Sequence, residues 1–243
     1  MRLFYTFSLL CCPLLVSCKG NPEPGQILEK AIEAHGGEKN INKPRKGIIK
    51  AASKDIAVIT QEEVFDFPKQ AKRLTVADFE GKLKKGYTLM IDGQHWEWED
   101  GQGARQPTQK MLYASPDWSS LYLINLKKQT VKLTAIGRIK VDAKSAVGFR
   151  ATWGDTAGDY YFDTKSGLLA QANFPWTKGD GKEYELKTVY SDYKEVDGIQ
   201  VAYRRLMYIK GGHYDDYVLM GDLKVTDLAI LDKLPADAFA LPR

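Results

Sequence analysis

The sequence predicts a β-rich α+β protein: a single large curved antiparallel sheet, an open half-barrel, with helices covering one face. Three observations predict it. Turn signals recur along the chain at Asp92-Gly93, Asp100-Gly101, Asp163 to Gly167, Gly179-Asp180-Gly181, Asp197-Gly198 and Gly211-Gly212. Between them lie alternating segments rich in Val, Ile, Thr, Tyr and Phe. Tight turns between neighbouring strands imply antiparallel pairing, and strand twist makes a sheet of this size curl or split.

In chain order, residues 1–17 read as an export signal. Arg2 supplies the positive start, and Leu3 to Val16 is an apolar run too short to span a bilayer. Leu15-Val16-Ser17-Cys18 resembles the bacterial lipoprotein box, in which cleavage precedes a Cys that is then acylated. An ordinary signal peptide with an incidental Cys is the alternative. The three cysteines are Cys11, Cys12 and Cys18. Cleavage and acylation would consume all of them, which excludes thiol catalysis, a disulfide framework and a Cys-ligated metal. Residues 18–24 would form the lipidated Cys and a polar tether of at most ~20 Å. By analogy with enterobacterial sorting, Lys19 leans toward the outer membrane, so the expected location is that membrane, facing the periplasm. The folded domain would then be residues 25–243.

A helix is predicted from about Gly25 to His35. Ile27, Leu28, Ala31 and Ile32 share one stripe, and Gly36-Gly37 suits a stop where positive φ is needed. His35 falls in the last turn, where the helix dipole favours a cation. Strands are predicted at 46–53, 56–65, 70–79, 85–92, 94–99, 130–141, 146–154, 158–163, 168–175, 183–195, 199–210 and 214–227. Within 130–141, one face should carry Val131, Leu133, Ala135, Ile139 and Val141 and the other the charged residues, with Ile136 as the exception. Pro107 to Lys128 interrupts the strands and reads as one or two short helices, broken at Ser115-Pro116.

Composition limits the function classes. With 44% hydrophobic and 27% charged residues, the chain of 243 is ordinarily globular. The net charge of +4 is spread along the sequence, so no nucleic-acid footprint is expected. His35, His95 and His213 are far apart, which gives no metal site by spacing. There is no Gly-x-Ser-x-Gly, no His-Glu-x-x-His and no phosphate-cradling loop. His213 with Asp215 and Asp216 reads as a polar hairpin tip, and Glu62-Glu63 alternate across a strand. No catalytic residue, cofactor or metal is expected.

Some strands are apolar on both faces, as at Leu206 to Ile209 and Tyr217 to Met220. Either both faces are covered, or one lines a cavity for a hydrophobic ligand. The candidate lining is Leu89, Ile91, Trp96, Trp98, Phe149, Trp153, Tyr203, Met207, Tyr217 and Leu219.

Several segments resemble exported bacterial proteins of the Lol-type lipoprotein-carrier and receptor family. They are Ala31 to Gly37, Thr88 to Trp98, Tyr161 to Leu169, Tyr193 to Ile199 and the closing Leu234 to Phe239. The resemblance implies an open barrel with a helical lid over an apolar cavity for acyl chains. It also implies an early-strand Arg that holds the lid. Arg73 occupies the similar place; Lys72 competes for it, and a solvated strand Arg is the alternative. An anchor at Cys18 makes the chain look more like the membrane-bound receptor than the soluble shuttle. The expected function is binding of acyl chains or another amphipathic lipid, in lipoprotein or lipid sorting. The expected partners are a lipid or the acyl chains of a lipoprotein, and a membrane through Cys18. The alternative is a non-enzymatic protein-interaction or regulatory module with a protein partner.

Overall fold

The computed structural model describes residues 22–53, 59–66, 68–69, 71–77, 86–91, 94–99, 102–105, 123–154, 156–177 and 182–240. The expected export signal at 1–17, Cys18 and most of the interruption at 107–128 lie outside these residues.

Helix α1 (Pro24–Ala34) and the short α2 (Gly37–Ile41) come first. Strands β1 (Lys46–Ser53), β2 (Ile59–Asp66), β3 (Ala71–Ala77), β4 (Gly86–Ile91), β5 (Gln94–Glu99) and β6 (Gln102–Arg105) follow. A 3₁₀ helix, Leu123–Lys127, leads into β7 (Lys132–Val141), β8 (Lys144–Trp153), β9 (Thr156–Asp163) and β10 (Leu169–Thr177). The long strands β11 (Glu183–Val196), β12 (Ile199–Gly211) and β13 (Tyr214–Ile230) complete the sheet.

Among the described residues, thirteen strands form one antiparallel sheet, ordered β6-β5-β4-β3-β2-β1-β13-β12-β11-β10-β9-β8-β7. Two meanders, β1–β6 and β7–β13, are joined where β13 pairs with β1 from Gly47↔Ile230 to Ala52↔Lys224. The predicted single antiparallel sheet with helices on one face is what forms. Strand β6, which the sequence reading did not anticipate, has four residues and no apolar alternation.

Helix α1 buries Ile27, Leu28, Ala31 and Ile32, the predicted stripe. Their partners on the sheet are Val147, Phe149 and Ala151 of β8, Tyr160 and Phe162 of β9, and Leu169, Ala172 and Phe174 of β10. The Phe149 ring lies 5.8 Å from Tyr160 and 5.5 Å from Phe162, and Tyr160 meets Phe174 edge-on at 5.6 Å. Burying one such ring contributes about 1.5–3 kcal/mol, and each ring pair adds ~0.5–1.5 kcal/mol.

Bulges change which residues share a face. In β7 the register shifts between Ala135 and Gly137, where Gly137 has φ 87°. Val131 and Leu133 pack in the helix-covered core, whereas Ile139 and Val141 join a smaller cluster with Ala146 and Val189. The expectation of one continuous apolar face over 130–141 is therefore corrected. The extra residue of a bulge inverts the alternation beyond it. In β11, Asp192 takes φ 54°, and Tyr190 and Tyr193 on either side of it both contribute to the core.

Candidate functional site on the helix-covered face

The C-terminal end of α1 is fastened to two hairpins. His35 caps the helix, and Gly36 follows with φ 118°. The buried imidazole donates from Nδ1 to the Ala31 carbonyl at 2.7 Å and accepts at Nε2 from the Leu169 amide at 3.4 Å. Its carbonyl accepts from the Gln200 amide at 3.1 Å. Tyr193 stands edge-on to the ring at 5.7 Å and donates its hydroxyl to the Leu169 carbonyl at 2.7 Å. Burial pushes the His35 pKa down to about 4, against the smaller opposing effect of the bond to Ala31. The side chain is neutral at pH 7, which corrects the expected dipole-stabilised cation.

Gly36 has room for no side chain, since a Cβ there would collide with the Gly198 carbonyl oxygen. Asp197 and Gly198 both have positive φ, the signature of a tight hairpin turn between β11 and β12. Arg45, whose side chain is 1% exposed, grips this turn. Its Nε donates to Asp197 Oδ2 at 2.8 Å and its Nη2 to the Asp197 carbonyl at 2.7 Å. Its Nη1 donates to the carbonyls of Lys43, at 3.1 Å, and Asn40. Lys43 reaches the other carboxylate oxygen at 2.5 Å. The Lys43 hydrogen bond, with the charges of Arg45 and Lys43, holds the Asp197 carboxyl below the usual carboxylate range. On the second hairpin, Lys30 donates to the Thr164 carbonyl at 2.8 Å, beside Gly167. At the 3₁₀ helix, Lys127 bridges Glu29 and Glu38, each at 3.0 Å.

Beyond α1 the helix-covered face carries charge as well as grease. Glu63 and Lys72, both buried, pair at 2.9 Å next to Phe65, and Thr188 of β11 and Arg205 of β12 are buried as well. A buried pair of this kind yields little net stability but fixes which side chains meet.

The expected lining residues fall into separate groups. Phe149 is fully buried beneath α1, and Trp153 and Tyr203 pack against the same cluster. Met207 is half-buried, opposite Thr188 and Gly221. Tyr217 lies in the opposite row, where the Lys187 ammonium sits 3.7 Å from its ring centroid and 4.4 Å from that of Tyr208. Leu219 pairs with Tyr208. Leu89 pairs with Trp96, Tyr87 with Trp98 and Ile91 with Gln94 across β4 and β5, whose side chains lie outside the described residues. Arg73 reaches the Asp237 carbonyl at 3.5 Å and Glu62 at 3.8 Å. It therefore touches the C-terminal segment. Sequence reasoning missed Arg45 and Tyr193 as fastening residues, and only the Asp197-Gly198 turn was visible locally.

A recess of about 290 Å³ is lined by residues that include Arg150, Asp159, Asn173, Phe174, Tyr184 and Glu185. Among the described residues no group of three His, Cys, Asp or Glu side chains could hold a metal.

The solved structure of a LolA superfamily protein from Nitrosomonas europaea matches 90% of this chain and 97% of its own, with a TM-score of 0.53 and 13% identity. The chain has the LolA-type fold. Weaker likenesses are a conserved protein from Thermus thermophilus, covering 88% and 95% of the two chains at 10% identity and TM-score 0.32, and the lipoprotein LppX of Mycobacterium tuberculosis, covering 63% and 88% at 9% identity and TM-score 0.29. No family model and no curated protein matches the chain. Three of the five segments singled out in the sequence, Ala31 to Gly37, Tyr161 to Leu169 and Tyr193 to Ile199, meet where α1 is fastened.

Proposed function

We propose that this chain is a membrane-anchored periplasmic lipoprotein that shelters acyl chains, or another amphipathic lipid, between helix α1 and the sheet, in lipoprotein or lipid sorting. In this reading residues 1–17 are removed, Cys18 is acylated, residues 19–24 are the tether and residues 25–243 are the working domain. The anchor faces the domain into the periplasm from the outer membrane. The observation that carries the reading is the LolA-type fold with an apolar helix laid on an aromatic floor.

The mechanism is solvent exclusion. Helix α1 packs directly on Phe149 and its neighbours, so a guest takes this face only when helix and floor separate. Exposing Ile27, Leu28 and Ile32 would cost about 5–9 kcal/mol. Sheltering a palmitoyl-length chain returns ~0.8 kcal/mol per methylene, on the order of 11 kcal/mol. The exchange is nearly balanced, which suits a carrier that must also release. The bonds at His35 and Arg45 keep one end of α1 in place while the rest lifts.

The test is binding of a fluorescent fatty acid by the full-length protein, with palmitate as competitor. Saturable, palmitate-displaceable binding supports the reading, and its absence overturns it. One observation favours a second reading, a non-enzymatic protein-interaction or regulatory module: the floor under α1 is filled by the protein's own side chains. That module would bind no fatty acid and would retain a protein partner in pull-down.

A further inference from the structure

The helix-covered face changes character along its strands. Leading away from the fastened end of α1, the apolar core cluster ends at Tyr190 of β11, Tyr203 of β12, Ile49 of β1 and Phe65 of β2. Beyond it the same face is polar. Thr188 stands two positions before Tyr190, Arg205 pairs with Tyr190 across β11 and β12, and Glu63 stands two positions before Phe65. From Ile49 the alternation runs through Ala51 to Ser53. Ser53, Glu63, Thr188 and Arg205 are all buried, as is Lys72, which is level with Phe65 and pairs with Glu63 at 2.9 Å.

One hydroxyl in this polar region is left over. Ser53 is 0% exposed, and its Oγ has no hydrogen-bond partner. Burying a hydroxyl in this way is unfavourable unless another group completes it. There is room beside it. Gly221 of β13 is buried opposite Met207, and its backbone conformation does not demand a glycine. Among the described residues, a Cβ at Gly221 would meet only Ser53 Oγ, at 4.0 Å, beyond its own chain neighbours.

These facts select a head group. An acyl chain alone would leave the Ser53 hydroxyl unsatisfied, so a fitting ligand brings a hydrogen-bonding atom to this level. The Arg205 guanidinium carries only donors, and the Ser53 and Thr188 hydroxyls can both donate, so the matching atoms are acceptors. The charged side chains of the region, Lys72 and Arg205 against Glu63, leave one positive charge, and a single negative charge on the ligand complements it.

We propose that the lipid on this face carries a singly anionic head, a phosphate or a carboxylate, seated among Arg205, Thr188 and the Ser53 hydroxyl beside Gly221, with its acyl chain on the apolar floor under α1. The inference rests on the acyl-chain reading and adds to it the orientation and the head-group class of the guest.

Displacement of a fluorescent fatty acid from the full-length protein tests it, with competitors that share one palmitoyl-length chain and differ in the head, each kept below micelle formation. They are palmitate, palmitoyl lysophosphatidylglycerol, monopalmitoylglycerol and hexadecyltrimethylammonium. The expected result is that at least one anion binds about tenfold more tightly than the neutral and cationic competitors, and which anion does so tells carboxylate from phosphate. Ser53→Ala should weaken that anion about tenfold while leaving the melting temperature of the protein without added lipid unchanged or raised, because the hydroxyl it removes has no partner. If Ser53→Ala does not fold, Gly221→Ala, which puts a methyl group into the same space, takes its place. Equal affinity for all four heads, or preference for the neutral or cationic one, overturns the head-group seat and leaves the acyl-chain reading standing. A folded variant with wild-type affinity for the anion also overturns the seat. Binding of none of the four overturns both.

Discussion

The Leu169 amide donates a hydrogen bond to His35 Nε2 over 3.4 Å, joining the end of the first helix to the start of β10 across a separation of 134 residues. Around this bond the imidazole must stay neutral, because a proton on Nε2 would face another donor.

The first prediction concerns acid. The folded pKa of His35, about 4, lies below the ordinary 6.5, so the unfolded chain binds the proton more readily. The contribution of His35 is fully present above pH 6.5 and is lost as pH falls toward 4, by about 3 kcal/mol in all. Urea denaturation at pH 7, 5.5 and 4.5 should show this slope, and His35→Gln should remove that part of it.

Gly36→Ala should destabilise the domain by at least about 2 kcal/mol, since it combines positive φ with a collision at Gly198. Gly25→Ala, where a Cβ meets nothing within 4 Å, is the matched control and should be neutral or slightly stabilising. Thermal melts of the two variants decide.

Arg45→Ala should cost about 2–3 kcal/mol, less than a fully buried pair because Asp197 is 29% exposed. Lys43, with 53% of its side chain exposed, bonds the same carboxylate, and Lys43→Ala should cost under about 1 kcal/mol. Denaturation at low and high salt separates them: only the Lys43 contribution should fade with salt.

Phe149→Ala should cost about 3–5 kcal/mol, because the ring is fully buried among Tyr160, Phe162 and α1. The cavity it opens beneath the helix should accept a small apolar probe such as benzene, visible as a probe-dependent rise in melting temperature.

What the sequence made legible was local. The stripe Ile27, Leu28, Ala31 and Ile32 repeats within one helix, and Asp197-Gly198 carries its own turn chemistry. What it hid depends on strand parity or on distant contact. Ile139 and Val141 leave the face of Val131 because of one bulge at Gly137, which no alternation count reveals. A register shift between Met207 and Tyr208 similarly obscures which face Tyr217 and Leu219 take. His35 looked like a helix-end cation because its burial under Leu169 and Tyr193 is set by residues more than 130 positions away.

The central claim, that the helix-covered face exists to hold lipid, is tested most directly by native mass spectrometry of the full-length protein released gently from its own membranes. The account predicts a population heavier by one acyl-bearing molecule beyond any covalent anchor, lost on delipidation and regained with palmitate. A single lipid-free mass in repeated preparations, unchanged by added palmitate, would contradict it.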